Sequence, residues 1–152
     1  MWKAFQRYRA LDPEAQKLFW RAVTLLPWVA LSLRLRGFQR TREGLARRVN
    51  PVRGSTGEAA ETVRKTCRMV QSGVHHGLGH PTCLEQSLVL WYLLQKQNIP
   101  ARFRIGVRKL PGKFEAHAWV EYDGAALNQG EEVHHHYAAF ETEFVDLPGD
   151  NA

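Results

Sequence analysis

The chain has 152 residues, 44% of them hydrophobic and 24% charged, which excludes a disordered, collagen-like or disulfide-rich protein. Two cysteines cannot build a disulfide framework and are typical of a reducing compartment. The N-terminal residues lack the apolar run of a signal peptide. We therefore expect a cytoplasmic protein.

Positive charge is concentrated in the first 70 residues, which hold 15 Lys and Arg against 5 Asp and Glu. Residues 71–152 hold 6 Lys and Arg against 10 Asp and Glu, so the net charge of +6 comes from the N-terminal half. No aromatic residues alternate with these cations as in a stacking platform for bases, and no nucleic-acid motif is present. The pattern favours a solvated helix face or a docking surface for an acidic peptide or protein, without a nucleic-acid partner.

The first predicted helix starts at Asp12-Pro13-Glu14, because Asp is a good N-cap and Pro is favoured at the first helical position. Apolar residues then recur at helical spacing, and Pro27 is expected to kink or split the helix. Gly37 is a second candidate break. The apolar stretch 22–33 is shorter than the ~20 residues that span a bilayer, which argues for a buried helix pair and against membrane association.

A second helix is predicted over 58–71, after a Pro- and Gly-containing loop at 50–57. Its apolar stripe includes Cys67, which we interpret as a small core residue. A glycine- and histidine-rich loop at 73–81 leads to a third helical pattern, which starts at Thr82-Cys83 and ends near Asn98.

The pattern then changes to the period of two that is typical of strands. Strands are predicted over 101–108 and 114–122, with a turn between them, and a third over 125–129 after the Asp123-Gly124 hairpin signal. Helices followed by an antiparallel sheet predict an α+β fold. We divide the chain into an N-terminal helical region, 1–57, and a core, 58–152, that together form one compact unit.

Cys83 is the first candidate for chemistry. Thr82 and Glu85 match the T-x-x-E capping box, which makes Cys83 the first helical residue. Unpaired N–H groups and the helix dipole favour a thiolate at such a position, and the backbone N–H of Cys83 is a candidate oxyanion donor. Taken alone, Cys83 fits a buried structural cysteine equally well.

His117 lies on the second predicted strand and completes the pair that a cysteine hydrolase or acyltransferase needs. A third residue would orient the imidazole. A two-residue hairpin loop places Asn128 diagonal to His117 on one strand face, whereas a three-residue loop pairs His117 with Gln129. We favour Asn128, because Cys-His-Asn is an established combination, and Gln129 stays the alternative.

Three segments of the chain, Cys83–Leu88, Ile99–Val107 and Ala116–Glu121, resemble the transglutaminase-like cysteine peptidases of lasso-peptide biosynthesis. The similarity is greatest to their stand-alone leader-peptidase form. It implies a transglutaminase-like or papain-like core, in which a nucleophile helix packs on an antiparallel sheet. It also implies Cys83 as nucleophile and His117 as general base and acid.

The resemblance also implies an activity and its partners. The substrate would be a ribosomally synthesised precursor whose leader is removed so that a lasso cyclase can close the ring. The 80 residues before Cys83 lack the strand pattern of the family's leader-binding domain, so a separate leader-binding protein is implied. Family members usually have an aspartate just after the return strand, where this chain has Asn128-Gln129.

Two other functions fit the same residues: an amide-forming acyltransferase, and a catalytically weak scaffold that binds a peptide. His134-His135-His136 suggests a metal, but adjacent histidines point in different directions and no further ligand spacing completes a tetrahedral site. There is no P-loop glycine pattern either. We therefore expect neither a metal nor a cofactor.

Overall fold

The computed structural model describes residues 12–49 and 59–128, and the backbone of 138–139. Three helices come first: α1 (Pro13–Ala46), α2 (Ala59–His76) and α3 (Cys83–Lys96). Four strands follow: β1 (Arg102–Leu110), β2 (Lys113–Tyr122), β3 (Ala125–Ala126) and β4 (Ala138–Ala139). They form one antiparallel sheet in the order β3-β2-β1-β4. The predicted α+β fold is confirmed.

Helix α1 starts where the sequence predicts, since the Asp12 side chain accepts a hydrogen bond of 2.8 Å from the Ala15 N–H. The break in α1 lies at Gly37, with φ 78° and ψ 176°, and not at Pro27, which sits inside the helix. Glycine adopts this positive φ without steric cost, whereas the ring of proline fixes φ near −65°, a value that helices use. The hydroxyl groups of Ser32 and Thr41, 3.0 Å apart, bridge the break.

Helix α2 is longer than predicted and continues to His76, so the first part of the expected 73–81 loop is helical. The reason lies in Gly73, which the sequence alone presents as a helix breaker. A Cβ atom built on Gly73 would lie 3.1 Å from the Cβ of Ala22 on α1. The glycine therefore lets two helix backbones approach closely inside a continuous helix.

The hydrophobic core lies between the helices and one face of the sheet. Helix α3 is at its centre and buries most of its apolar side chains, namely Leu88, Val89, Leu90, Trp91, Leu93 and Leu94. On β2, Ala118 and Val120 face this core. Each large apolar side chain buried here stabilises the fold by ~1.5–3 kcal/mol. Helix α3, which begins at the candidate residue Cys83, is thus packed on an antiparallel sheet, as expected.

Helix α1 is long and apolar enough, by length and composition only, to cross a membrane. Core helices of soluble proteins have the same properties, and α1 contributes Leu18, Ala22, Leu26 and Val29 to the buried clusters. Large apolar side chains are also exposed on it, among them Leu31 and Leu35. The absence of membrane association stays a prediction, as does the division of the chain at residue 57.

Strand β2 carries the predicted histidine, and its register with β1 is regular along its whole length. Arg102 pairs with Glu121 at one end and Leu110 with Lys113 at the other. On the opposite side of β2, Glu121 and Tyr122 pair with β3, which ends at Ala126 and not at 129 as predicted. Most of β2 is therefore paired with β1 alone among the described strands, which bears on the functional site.

Candidate active site

Cys83 is the first residue of α3, and the capping box predicted around it is present. The Glu85 N–H donates to Thr82 Oγ1 at 3.3 Å, and the Thr82 N–H donates to Glu85 Oε2 at 2.7 Å. Because both bonds fix the first helical turn, the position of the half-buried Cys83 at the helix N-terminus is well defined. Cys83 thus lies in the first turn of α3, whose backbone N–H groups have no acceptor within the helix.

Ser87 connects this helix to β2. Its Oγ donates a 3.0 Å hydrogen bond to the carbonyl oxygen of Ala118, the residue after His117. Ser87 follows Cys83 by four residues, so both lie on the same face of α3, one turn of ~5.4 Å apart. The face of the helix that carries Cys83 is thus turned toward β2.

The direction of α3 places Cys83 along β2. The C-terminal end of α3 leads directly into β1, and the Gln95 side chain bonds to the Ala101 carbonyl there. Arg102, at the start of β1, pairs with the end of β2, so α3 begins near the first half of β2. One helical turn before the Ser87 contact corresponds to one or two strand residues at ~3.4 Å each. Cys83 is therefore level with Ala116 and His117.

His117 is held by a chain of contacts on the face of β2 away from the helical core. Its ring stacks on that of Trp119, with centroids 6.3 Å apart and an interplanar angle of 18°. The Trp119 Nε1 donates to Glu121 at 2.9 Å, and Arg104 on β1 forms a 3.1 Å ion pair with the same carboxylate. Because Trp119 is only 1% exposed, its ring is a rigid support for the imidazole.

The predicted two-residue hairpin loop is present, since Tyr122 pairs with Ala125, but β3 ends at Ala126 and Asn128 lies beyond it. Its Oδ1 accepts a 2.9 Å bond from the Val120 N–H, and its Nδ2 donates to Ser87 Oγ at 2.8 Å. Asn128 thus joins α3 to β2. Its role as the residue that orients His117 stays a prediction, and the alternative, Gln129, lies outside the described residues.

A groove of about 290 Å³ adjoins the N-terminal end of α3. One wall is α1, with Pro27, Leu31 and Arg34, and the other is the segment from Leu78 to Thr82. The groove ends at Thr82 and Glu85, which flank Cys83 in the sequence. An extended chain that passes Cys83 therefore has space on this side for apolar side chains.

The described part of the chain thus places the capped cysteine on the helix that contacts β2 at Ala118, next to the strand histidine. A family model described as the transglutaminase-like superfamily matches residues 23–142. This chain belongs to the transglutaminase-like superfamily. Members are commonly cysteine proteases or acyltransferases, enzyme classes that use a thiol nucleophile. Neither the comparison with curated proteins nor that with solved structures gives a match.

Three further histidines lie in the part of this superfamily member that the structure describes. His75 and His76 end α2 and are exposed, and His80 lines the groove before α3. Within residues 12–49 and 59–128, no group of three or more His, Cys, Asp or Glu side chains could hold a metal ion. His134-His135-His136 lies outside these ranges.

Ser87 is the important residue that the sequence analysis missed. A serine inside an apolar helix carries no strong signal, although its spacing of four residues from Cys83 places both on one face of the helix. Its 0% exposure and its bonds to both Ala118 and Asn128 make it the connection between the two halves of the site.

The two cysteines are expected to react differently with iodoacetamide in the native protein. Burial raises the pKa of the Cys67 thiol to about 11, so at neutral pH Cys67 holds almost no thiolate. We expect alkylation at Cys83 at pH 7.5, with Cys67 modified only as the pH approaches its pKa or after unfolding. Peptide mass spectrometry after timed labelling measures both sites, and equal rates in the native protein would contradict this.

Proposed function

We propose that this protein is a cysteine peptidase that removes the leader from a ribosomally synthesised lasso-peptide precursor. It acts with a separate leader-binding protein and a lasso cyclase, in the cytoplasm and without a cofactor. The resemblance of the segments around Cys83 and His117 to the leader peptidases of this class supports the substrate. Membership of the transglutaminase-like superfamily supports the thiol chemistry.

The observation that carries the proposal is the placement of Cys83 relative to β2. The capping box fixes Cys83 at the start of α3, and the 3.0 Å contact of Ser87 with Ala118 fixes that helix against the residue next to His117. The proposal brings the Cys83 thiol and the His117 imidazole together at the edge of β2, as nucleophile and base of a cysteine peptidase.

The proposed reaction has two steps. His117 takes the proton of Cys83, the sulfur attacks the carbonyl carbon that links leader and core, and the backbone N–H of Cys83 donates to the developing oxyanion. His117 then protonates the leaving amine of the core peptide. Water, activated by His117, attacks the thioester, which releases the leader as a free acid and restores the thiol. Asn128 is proposed to hold His117 in the productive orientation.

The masses of the products test the function. The protein is incubated with the precursor and the leader-binding protein, and the leader fragment is analysed by mass spectrometry. We expect a leader with a free carboxylate, because water accepts the acyl group. An amide of an added amine would instead indicate the acyltransferase, and an intact precursor that stays bound would indicate the scaffold.

A further inference from the structure

Among the described residues, the first part of one edge of β2, next to the candidate active site, has no strand partner. In an antiparallel strand, the N–H and C=O of alternate residues point to the same side. The Val120 carbonyl accepts from the Leu127 N–H at 2.8 Å, and Tyr122 pairs with Ala125. The backbone N–H and C=O groups of the even-numbered residues of β2 therefore point away from β1. We refer to this side of β2 as the outer edge.

Along the outer edge, the hydrogen bonds that the described residues make to β2 stop at Ala118. The Val120 N–H bonds to the Asn128 side chain, and the Ala118 carbonyl accepts from Ser87. The next groups on the same side are the N–H and C=O of Ala116 and Phe114. Within residues 12–49 and 59–128, neither strand pairing nor any other backbone hydrogen bond satisfies these outward groups. Both residues are exposed, Phe114 to 74%.

This open segment lies directly beside the reacting groups. Ala116 precedes His117, and Cys83 is level with both because of the Ser87 contact. Since Ser87 meets β2 at its outer edge, α3 approaches the strand from this side, and the open segment begins where the helix begins. A peptide whose scissile carbonyl carbon lies at Cys83 can therefore extend along the outer edge past Ala116 and Phe114.

We propose that the substrate peptide binds as an added strand on the outer edge of β2, with its backbone hydrogen-bonded to Ala116 and Phe114. The inference rests on the proposed peptidase function and deepens it. The occupant is an extended peptide, because only a backbone offers donors and acceptors at the spacing of these strand groups. Such binding orients the scissile bond, whatever the side chains are.

Ala116→Pro tests the outer edge selectively. The N–H of residue 116 points away from β1, so proline removes an outward donor and keeps the β1–β2 hydrogen bonds, which the odd-numbered residues make. Ala116→Ser is the matched control, since it retains the N–H. Two reagents are compared at Cys83: iodoacetamide, which has no peptide backbone, and an N-capped trialanine chloromethyl ketone, whose small side chains isolate the backbone contribution.

We expect Ala116→Pro to slow labelling of Cys83 by the trialanine reagent about tenfold, with iodoacetamide labelling unchanged and Ala116→Ser close to the original protein.

A second measurement needs no variant. N-methylation of successive amides of the reagent is expected to slow labelling at one position and not at the next, because only alternate N–H groups of an added strand face its partner.

The outcomes separate this inference from the proposed function. Normal iodoacetamide labelling, combined with trialanine labelling that neither N-methylation nor Ala116→Pro affects, would overturn the strand-addition proposal alone. A Cys83 that iodoacetamide does not modify in the native protein would overturn the nucleophile assignment, and the inference with it. If Ala116→Pro fails to fold, the effect of N-methylation at alternate positions of the reagent still decides whether the peptide binds as an added strand.

Discussion

Replacement of Cys83 by alanine is expected to reduce the proposed leader cleavage at least ~10³-fold, because it removes the thiol that would form the acyl-enzyme. The variant should still fold, since the capping box that starts α3 involves Thr82 and Glu85 and not the thiol. Cleavage rates from mass spectrometry, combined with a thermal unfolding curve for each protein, measure both effects.

Cys67→Ala is the matched control for this experiment. It removes the other thiol, which is half-buried on α2 and packs against the core, so we expect cleavage to persist with a modest loss of stability. Full cleavage by Cys83→Ala would contradict the nucleophile assignment. Loss of activity in both variants, with normal folding, would contradict the distinction made here between the two cysteines.

Replacement of Asn128 by leucine is expected to lower the free energy of unfolding by about 2–3 kcal/mol. The leucine has the same approximate size but leaves the Val120 N–H without its acceptor and Ser87 Oγ without its donor. Denaturant unfolding measures this loss. Cleavage is also expected to slow, because the contact that holds α3 level with His117 is weakened.

A double-mutant cycle with Ser87→Ala separates the two roles of Asn128. If Asn128 acts by joining α3 to β2, the two substitutions should be coupled by ~0.5–3 kcal/mol in stability. If it also orients His117, Asn128→Leu should change the pH profile of cleavage, whereas Ser87→Ala should leave that profile unchanged. Additive stability effects would contradict the joining role that the hydrogen bonds indicate.

The helix ends and the hairpins could be predicted closely from sequence because their signals are local. Asp12 and Thr82 each bond to a backbone N–H three residues away, and Gly112 and Gly124 supply the positive φ of two turns. The errors also have a physical reason. Gly73 resembles a helix end in the sequence, but its contact with Ala22 is made between residues about fifty positions apart, which no local pattern shows.

The candidate site likewise combines features that the local sequence determines and features that depend on distant residues. The sequence alone determined that Cys83 begins a capped helix and that His117 lies on a strand of an α+β protein, since both depend on neighbouring residues. Only the tertiary structure decided that Ser87 and Asn128 hold helix and strand together and that no described strand pairs with the edge at Ala116. Those features depend on hydrogen bonds between residues 31 and 41 positions apart, and a sequence pattern contains no information on which distant polar groups will meet.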